Sequence, residues 1–233
     1  MINTHSLEVN AFRFVNDGLG VTDNPITMSF TSWFKFPSGM GTCILFIHDV
    51  LPSLGSGDIR LSNQSGIFYF QCYTNEDPAP QGGQTLWRDR VSSGATDYRD
   101  NSWHQIMVTM DAYDDRSEDM HIYIDGSEVT TPNRSEGDTI RPTPFSIDPT
   151  ADMIYGNVSP LSGALVAQQA YFDYLVNPAT IWNGGAVFDL NSLPTPPLEW
   201  YQYAENIDNS GSSGVDGTLS AGTASYSTDV PPE

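Results

Sequence analysis

Asn101-Ser102-Trp103-His104-Gln105-Ile106-Met107-Val108-Thr109 leads, through an acidic stretch, to His121-Ile122-Tyr123-Ile124-Asp125-Gly126-Ser127-Glu128-Val129. In 103–110, His104, Ile106, Val108 and Met110 fall on one face, and Trp103, Gln105, Met107 and Thr109 on the other. A period of two is that of a strand with one face on a core, and the row containing Ile106 and Val108 reads as the core side. Asp125-Gly126 suits the two positive φ angles of a type I′ turn, so the second run reads as a tight hairpin.

The same pattern extends in both directions. Strands read at 6–14, 26–36, 42–48, 58–62, 66–73, 85–91, 102–111, 119–125, 128–131, 152–156 and 162–175. Turn signals separate them at Asp17-Gly18, Pro37-Ser38-Gly39, Gly55-Ser56-Gly57 and Gly82-Gly83. In 164–174, Ala164, Val166, Ala170, Phe172 and Tyr174 read as the core face, opposite Leu165, Ala167, Gln169, Tyr171 and Asp173. One short helix reads at Pro178–Trp182, stopped by Gly184-Gly185. The fold class expected is all-β, a two-sheet antiparallel jelly-roll sandwich with one short helix.

Charge excludes several functions. Twenty-nine Asp and Glu oppose nine Lys and Arg, a net charge of −20, and Lys35 is the only lysine. Nucleic-acid backbones and anionic membranes both require a basic surface, so neither is an expected partner. Disordered acidic chains lack aromatics, whereas this one has five Trp, eleven Tyr and eleven Phe. Cys43 and Cys72 read as buried free thiols, with a disulfide as the other reading; no zinc-ligand spacing is present. Sequons begin at Asn63, Asn133 and Asn157 and read as chance matches. No secretory signal and no membrane-length apolar run is read in the sequence.

Residues 204–227 are rich in Ser, Gly, Asp and Asn and poor in large apolar groups. The expected organisation is therefore one sandwich over 1–203 and a Gly/Ser/Asp-rich C-terminal tail or arm over 204–233, either flexible or ordered against a neighbouring subunit.

Three segments carry a resemblance. Phe30-Thr31-Ser32-Trp33-Phe34-Lys35 follows an initial strand, the Trp103-His104 to Asp125-Gly126 block comes next, and Ile154-Tyr155-Gly156-Asn157 precedes Leu161-Ser162-Gly163-Ala164-Leu165-Val166. Together, over roughly 6–190, they resemble the laminin G-like/pentraxin group of concanavalin A-like sandwiches. That resemblance implies a two-sheet jelly roll, often with calcium at a loop rim. The C-terminal run from Asp208 to Pro231 is similar to tails that follow such domains in tailed-phage structural proteins.

Chemistry-bearing residues are few. Concanavalin A-like folds include glycosidases, whose paired carboxylates stand about 5–5.5 Å apart in retaining enzymes. No E-x-D-x-E alternation occurs, and no metalloprotease, nucleophile-elbow or phosphate-loop motif is present. His104 reads as a packed strand residue. No enzyme is expected, and no cofactor apart from the possibility of Ca²⁺. Asp111, Asp114, Asp115, Glu118 and Asp119 supply hard oxygens for calcium, as do Asp49 and Asp58, although a solvated acidic loop is the simpler reading. Tyr73, Trp87, Tyr98 and Trp182 lie near loops and are the candidate glycan-stacking aromatics.

The expected function is a phage virion structural protein, a capsid decoration or tail or fibre accessory protein. It would be assembled in the host cytoplasm and attach to other virion proteins, with homo-oligomerisation. The alternative is a lectin-like module that recognises host surface glycans, with or without Ca²⁺.

Overall fold

A computed structural model describes residues 5–10, 13–16, 26–48, 57–75, 86–113, 119–132, 153–155, 160–203, 206–221 and 224–233. The strands are β1 (Ser6–Asn10), β2 (Arg13–Asn16), β3 (Ile26–Lys35), β4 (Thr42–His48), β5 (Gly57–Gln64), β6 (Ile67–Asn75), β7 (Leu86–Ser92) and β8 (Trp103–Tyr113). They continue with β9 (Met120–Ile124), β10 (Ser127–Glu128), β11 (Thr131–Pro132), β12 (Met153–Tyr155), β13 (Pro160–Phe172), β14 (Glu199–Tyr201), β15 (Thr218–Ala221) and β16 (Ser225–Ser227). One helix, α1, spans Pro178–Trp182.

These strands form two eight-stranded sheets. The first runs β10-β9-β8-β3-β13-β1-β16, with β14 also pairing β13; the second runs β11-β7-β6-β5-β4-β12-β2-β15. The described pairings are antiparallel. This is the jelly-roll sandwich the alternation predicted. The run 6–14 is not one strand: β1 belongs to the first sheet and β2 to the second. The turns expected at Asp17-Gly18, Gly55-Ser56 and Gly82-Gly83 lie outside the described residues. Asp125 and Gly126 take φ values of 51° and 73°, the positive pair a type I′ turn requires.

Alternate residues of both sheets meet in one core. Phe30, Phe34, Ile106, Val108, Met110 and Ile122 of the first sheet pack with Leu45, Phe46, Ile59, Leu61, Phe68 and Phe70 of the second. Phe30 stacks on Phe46 with centroids 4.7 Å apart, and Phe34 meets Phe68 edge-on at 4.7 Å. The face expected from 103–110 is therefore the one that enters the core between the sheets. Cys43 and Cys72 are free and buried in this core, and burial pushes the Cys43 thiol up to about 12. Asn63 is fully buried too, which closes its sequon to modification.

The face expected for 164–174 holds only as far as Val166. Opposite β3, Ala167 pairs with Trp33 but Ala170 pairs with Thr31, so β13 carries one extra residue. Gln168 sits at φ 51° in this bulge. Beyond it the alternation inverts: Tyr171 enters the core between the sheets, and Ala170 and Phe172 point outward. Gln169 is also turned inward, donating to Leu45 O at 3.3 Å and accepting from the Tyr203 hydroxyl.

Outward is not toward water. Ala170 and Phe172 join Met107, Val176, Ile181, Leu190 and Trp200 in a second buried cluster on the outer face of the first sheet. The segment after β13 supplies its cover. Asn177 caps α1 by accepting from Ala179 N at 3.0 Å, and Asn183 ends it at φ 47°. Gln105 Nε2 donates to Ile181 O at 3.2 Å and ties the helix to β8.

The segment 204–233, read from composition as a tail or arm, contributes a strand to each sheet, β15 beside β2 and β16 beside β1. Asn209 secures its first turn. Its Oδ1 accepts from Trp200 N at 2.9 Å and Gly211 N at 2.7 Å, while Nδ2 donates to Ser213 Oγ at 2.6 Å. Gly211 passes so close to β14 that a Cβ would stand 2.5 Å from Leu198 O.

Removing Gln168 would restore strict alternation and exchange the two faces of β13 beyond Ala167. We expect the deletion variant to lose cooperative thermal unfolding in calorimetry. Gln168→Gly should keep the bulge and cost only the Trp200 Nε1 hydrogen bond (2.6 Å), about 1 kcal/mol. A deletion variant melting like the parent would refute the two-core account.

Candidate functional site

The Trp103-His104 block lies at the start of β8, beside the β9–β10 turn, and its polar groups are spent on holding the fold. His104 Nδ1 lies 2.7 Å from Asp125 Oδ2, and Nε2 lies 3.2 Å from Asp100 Oδ1. Asp125 Oδ1 accepts from Gln105 N at 2.9 Å, and Asp125 N donates to Gln105 O at 2.9 Å. The hairpin turn is thus clamped to the start of β8. Tyr98 meets the His104 ring edge-on at 5.5 Å, and Phe34 lies 5.6 Å away on the core side. The hydrogen bond to Asp125 holds the His104 imidazole above its ordinary value, against a smaller opposing effect of burial.

Trp103 and Lys35 act together at the C-terminus. Asp229 Oδ1 accepts from Trp103 Nε1 at 2.9 Å, and Oδ2 accepts from Lys35 Nζ at 2.6 Å. Ser6 Oγ donates to the Asp229 carbonyl at 2.6 Å. The Asp229 carboxylate therefore joins β3 and β8, and its main-chain carbonyl joins β1, to the last residues of the chain, which explains where the single lysine is used.

The sequence-derived candidates do not converge on one site among the described residues. Trp182 is half-buried at the end of α1, stacked on Trp33 with centroids 5.6 Å apart. A Cβ on Gly126 would stand 2.5 Å from Trp182 Cδ1, so the hairpin turn and the indole are in contact. Tyr98 is half-buried against Phe68 at 6.2 Å, at the rim of the inter-sheet core. Tyr73 and Trp87 lie on β6 and β7, opposite Arg88 and Thr74; their side chains fall outside the described residues. Asp111 is exposed on β8 and Asp119 is half-buried just before β9, while Asp114, Asp115 and Glu118, like Asp49, lie outside the described residues. Asp58 is described only by its backbone, in β5. Among the described residues, no group of three or more His, Cys, Asp and Glu side chains is arranged to hold a metal. No described helix is long and apolar enough to cross a membrane.

A second surface escaped the sequence reading. On β5, β6 and β7 the core residues Ile59, Leu61, Phe68, Phe70 and Val91 alternate with Arg60, Ser62, Tyr69, Gln71, Arg90 and Ser92 on the outer face. Register aligns them in rows: Ser62, Tyr69 and Ser92 in one, and Arg60, Gln71 and Arg90 in the next. Gln71 is fully buried and donates to Ser62 Oγ at 3.1 Å. The Arg90 guanidinium lies 3.3 Å above the Tyr69 ring centroid. The signal was available in Arg60-x-Ser62, Tyr69-x-Gln71 and Arg88-x-Arg90, but only strand pairing turns it into a patch.

Residues 14–181 match the family profile described as the concanavalin A-like lectin/glucanases superfamily, of laminin G type. The chain belongs to that family. No curated protein is significantly similar to it in sequence. Among solved structures it is similar to a candidate carbohydrate-binding protein from Bacteroides ovatus. That match has a TM-score of 0.57 at 13% identity, over 99% of this chain and 61% of that one. It is also similar to domains LG4-5 of the mouse laminin α1 chain, with TM-score 0.46 and 12% identity over 76% of this chain and 44% of that one. A third match is the botulinum neurotoxin serotype C1 binding domain, with TM-score 0.40 and 14% identity over 66% and 34%. The chain thus spans 34–61% of the length of these structures. At such identities the likeness is one of fold.

Two outcomes follow for the clamped hairpin. A histidine held above its ordinary value contributes stability that is full below about pH 6.5 and fades as pH rises through the raised value. The denaturant midpoint of His104→Gln should therefore fall further below the parent's at about pH 5.5 than at about pH 8.5. Equal offsets at both would remove the charge-assisted clamp. Gly126→Ala meets both a φ of +73° and the Trp182 ring. It should cost about 1 kcal/mol or more, lower Tm by a few degrees, and alter tryptophan fluorescence.

Proposed function

We propose that this chain is a non-enzymatic carbohydrate-binding module that takes saccharides on the outer face of the second sheet, across β5, β6 and β7. The contrast between the two outer faces carries the reading. The first sheet's outer face is sealed under an apolar cluster that includes Trp200, Phe172 and Ile181. The second keeps polar side chains there, with Tyr69, Arg60 and Arg90 half-buried in adjoining rows around a fully buried Gln71. Sugar recognition needs planar groups for the ring and fixed donors for the hydroxyls. Tyr69 holds the Arg90 guanidinium flat, and the buried Gln71 braces the row beneath it through Ser62. Such preorganisation lowers the ordering cost of binding. The description of the Bacteroides ovatus protein as a candidate carbohydrate binder supports the same reading.

The virion reading, a capsid decoration or tail or fibre accessory protein, drew on the resemblance of the run from Asp208 to Pro231 to tails in tailed-phage structural proteins and on the absence of a readable secretory signal. That segment engages its own sandwich through β15, β16, Asn209 and Asp229, so attachment to a particle would fall to loops. The carbohydrate reading therefore has the better support.

A glycan array spanning neutral and acidic structures tests it. We expect binding to a defined subset, weakened about tenfold or more by Tyr69→Ala, which releases Arg90. Silence across the array would overturn the reading. Release of shortened products from a bound glycan would overturn its non-enzymatic part.

A further inference from the structure

Independently of the saccharide reading, we infer that two copies of this chain associate by exchanging their C-terminal arms, residues 206–233, each arm completing the other copy's sandwich. The structure shows the closed form, in which the arm folds back on its own body. That body, up to Tyr203, leaves both sheets unfinished on one side. Without the arm, β1 would be the last strand of the first sheet and β2 the last of the second. β16 and β15 close those edges, and Ile207, Ala224 and Tyr226 pack against the inter-sheet core. An open strand edge is a template for another chain, and the segment that fits these two edges is the arm itself.

Each bond described across the junction would form unchanged with a second copy's arm. Ser210 N donates to Trp200 O at 2.8 Å, Ser212 N to Pro197 O at 2.8 Å and Ser213 N to Leu198 O at 2.9 Å. Val187 N donates to Pro232 O at 3.0 Å. Asp229 accepts from Trp103 Nε1 and from Lys35, the single lysine of the chain. The arm also holds its own first turn: Asp216 Oδ1 accepts from Asn209 N at 2.8 Å, and Gly217 N donates to Ile207 O at 3.2 Å. It can therefore pass between copies as a unit, and exchange of an identical element requires no new interface.

Tyr203 marks the hinge. The chain turns back after it, since Asn209 bridges Tyr201 in antiparallel register. Among the described non-glycine residues with positive φ, Ser65, Asn101, Asp125, Gln168 and Asn183 are polar, and Tyr203, at φ 56°, is the one aromatic. A bulky residue is strained in the left-handed region, and burial of its ring holds it there. A strained hinge beside a compact element favours exchange. In the exchanged dimer the chain runs on from β14 instead of turning back, which releases the strain.

Disulfide trapping in the whole chain tests this. Glu8 and Ser225 face each other across β1 and β16, and the native Cys43 and Cys72 are buried. Chains carrying only Glu8→Cys are mixed with chains carrying only Ser225→Cys, held near the thermal midpoint, cooled and oxidised. We expect a covalent heterodimer at least about tenfold above the yield with Ser127→Cys, a control on the opposite edge strand β10, because exchange holds the two thiols at high effective concentration. Closure of the Glu8→Cys/Ser225→Cys double variant as a covalent monomer, with heterodimer no higher than the control, would overturn the inference. Should the thiols pair in neither form, light scattering of the parent chain decides: a monomer at every concentration overturns the exchange. Inserting three glycines after Tyr203 relaxes the hinge and should lower the dimer fraction about fivefold or more. A dimer fraction left unmoved by that insertion would mark association through another surface and also overturn it.

Discussion

β13 has to serve two cores at once. Its first half closes the space between the sheets with Ala164 and Val166, beside β1 and β3. Its second half must send Tyr171 into the same space while giving Ala170 and Phe172 to the cluster on the other side of the sheet. A regular strand keeps each face fixed from end to end. The extra residue at Gln168 breaks that rule once, and its side chain is not wasted, since its amide oxygen takes the Trp200 indole N–H at 2.6 Å. The exchange of faces also lets β14 pair beyond the bulge, bringing Trp200 to the outer cluster and Tyr201 to the inner one.

The architecture was legible where alternation and turn chemistry agreed. The run from β8 to β10 is the clearest case: apolar alternation set the inner face of β8, and Asp125-Gly126 set the β9–β10 turn. The short helix was readable from Pro178 and the following glycines. The inversion in β13 was not, because Ala164 through Tyr174 alternates smoothly on paper and a bulge is visible only against its partner strand. The strands of 218–227 were hidden for another reason. Ser, Ala and Gly dominate there and have weak strand preference, and the segment is held by Asn209 and Asp229 instead of by a hydrophobic run. Of the candidate aromatics, Trp182 and Tyr98 are half-buried by packing, a contextual outcome that residue type does not encode. The Arg60–Gln71–Arg90 row is likewise a property of pairing: its members are separated by eleven and nineteen positions in the sequence.

Charge gives the fold and the candidate surface a common logic. Among the few described cations, two make local ion pairs. Lys35 joins the strands of the first sheet to the C-terminus through Asp229, and Arg99 binds Asp97 with a 2.7 Å contact that drives the carboxyl to about 2. Arg60 and Arg90 lie on the outer face of the second sheet. Acidic groups stand near that face as well, since Asp58 pairs with Tyr73 one row from Arg60. At physiological salt the Debye length is about 8 Å, so exposed charges well beyond it are largely screened and the near ones decide the local field. A net charge of −20 therefore does not fix the character of this face, whose electrostatics are set by the groups packed around Arg60 and Arg90.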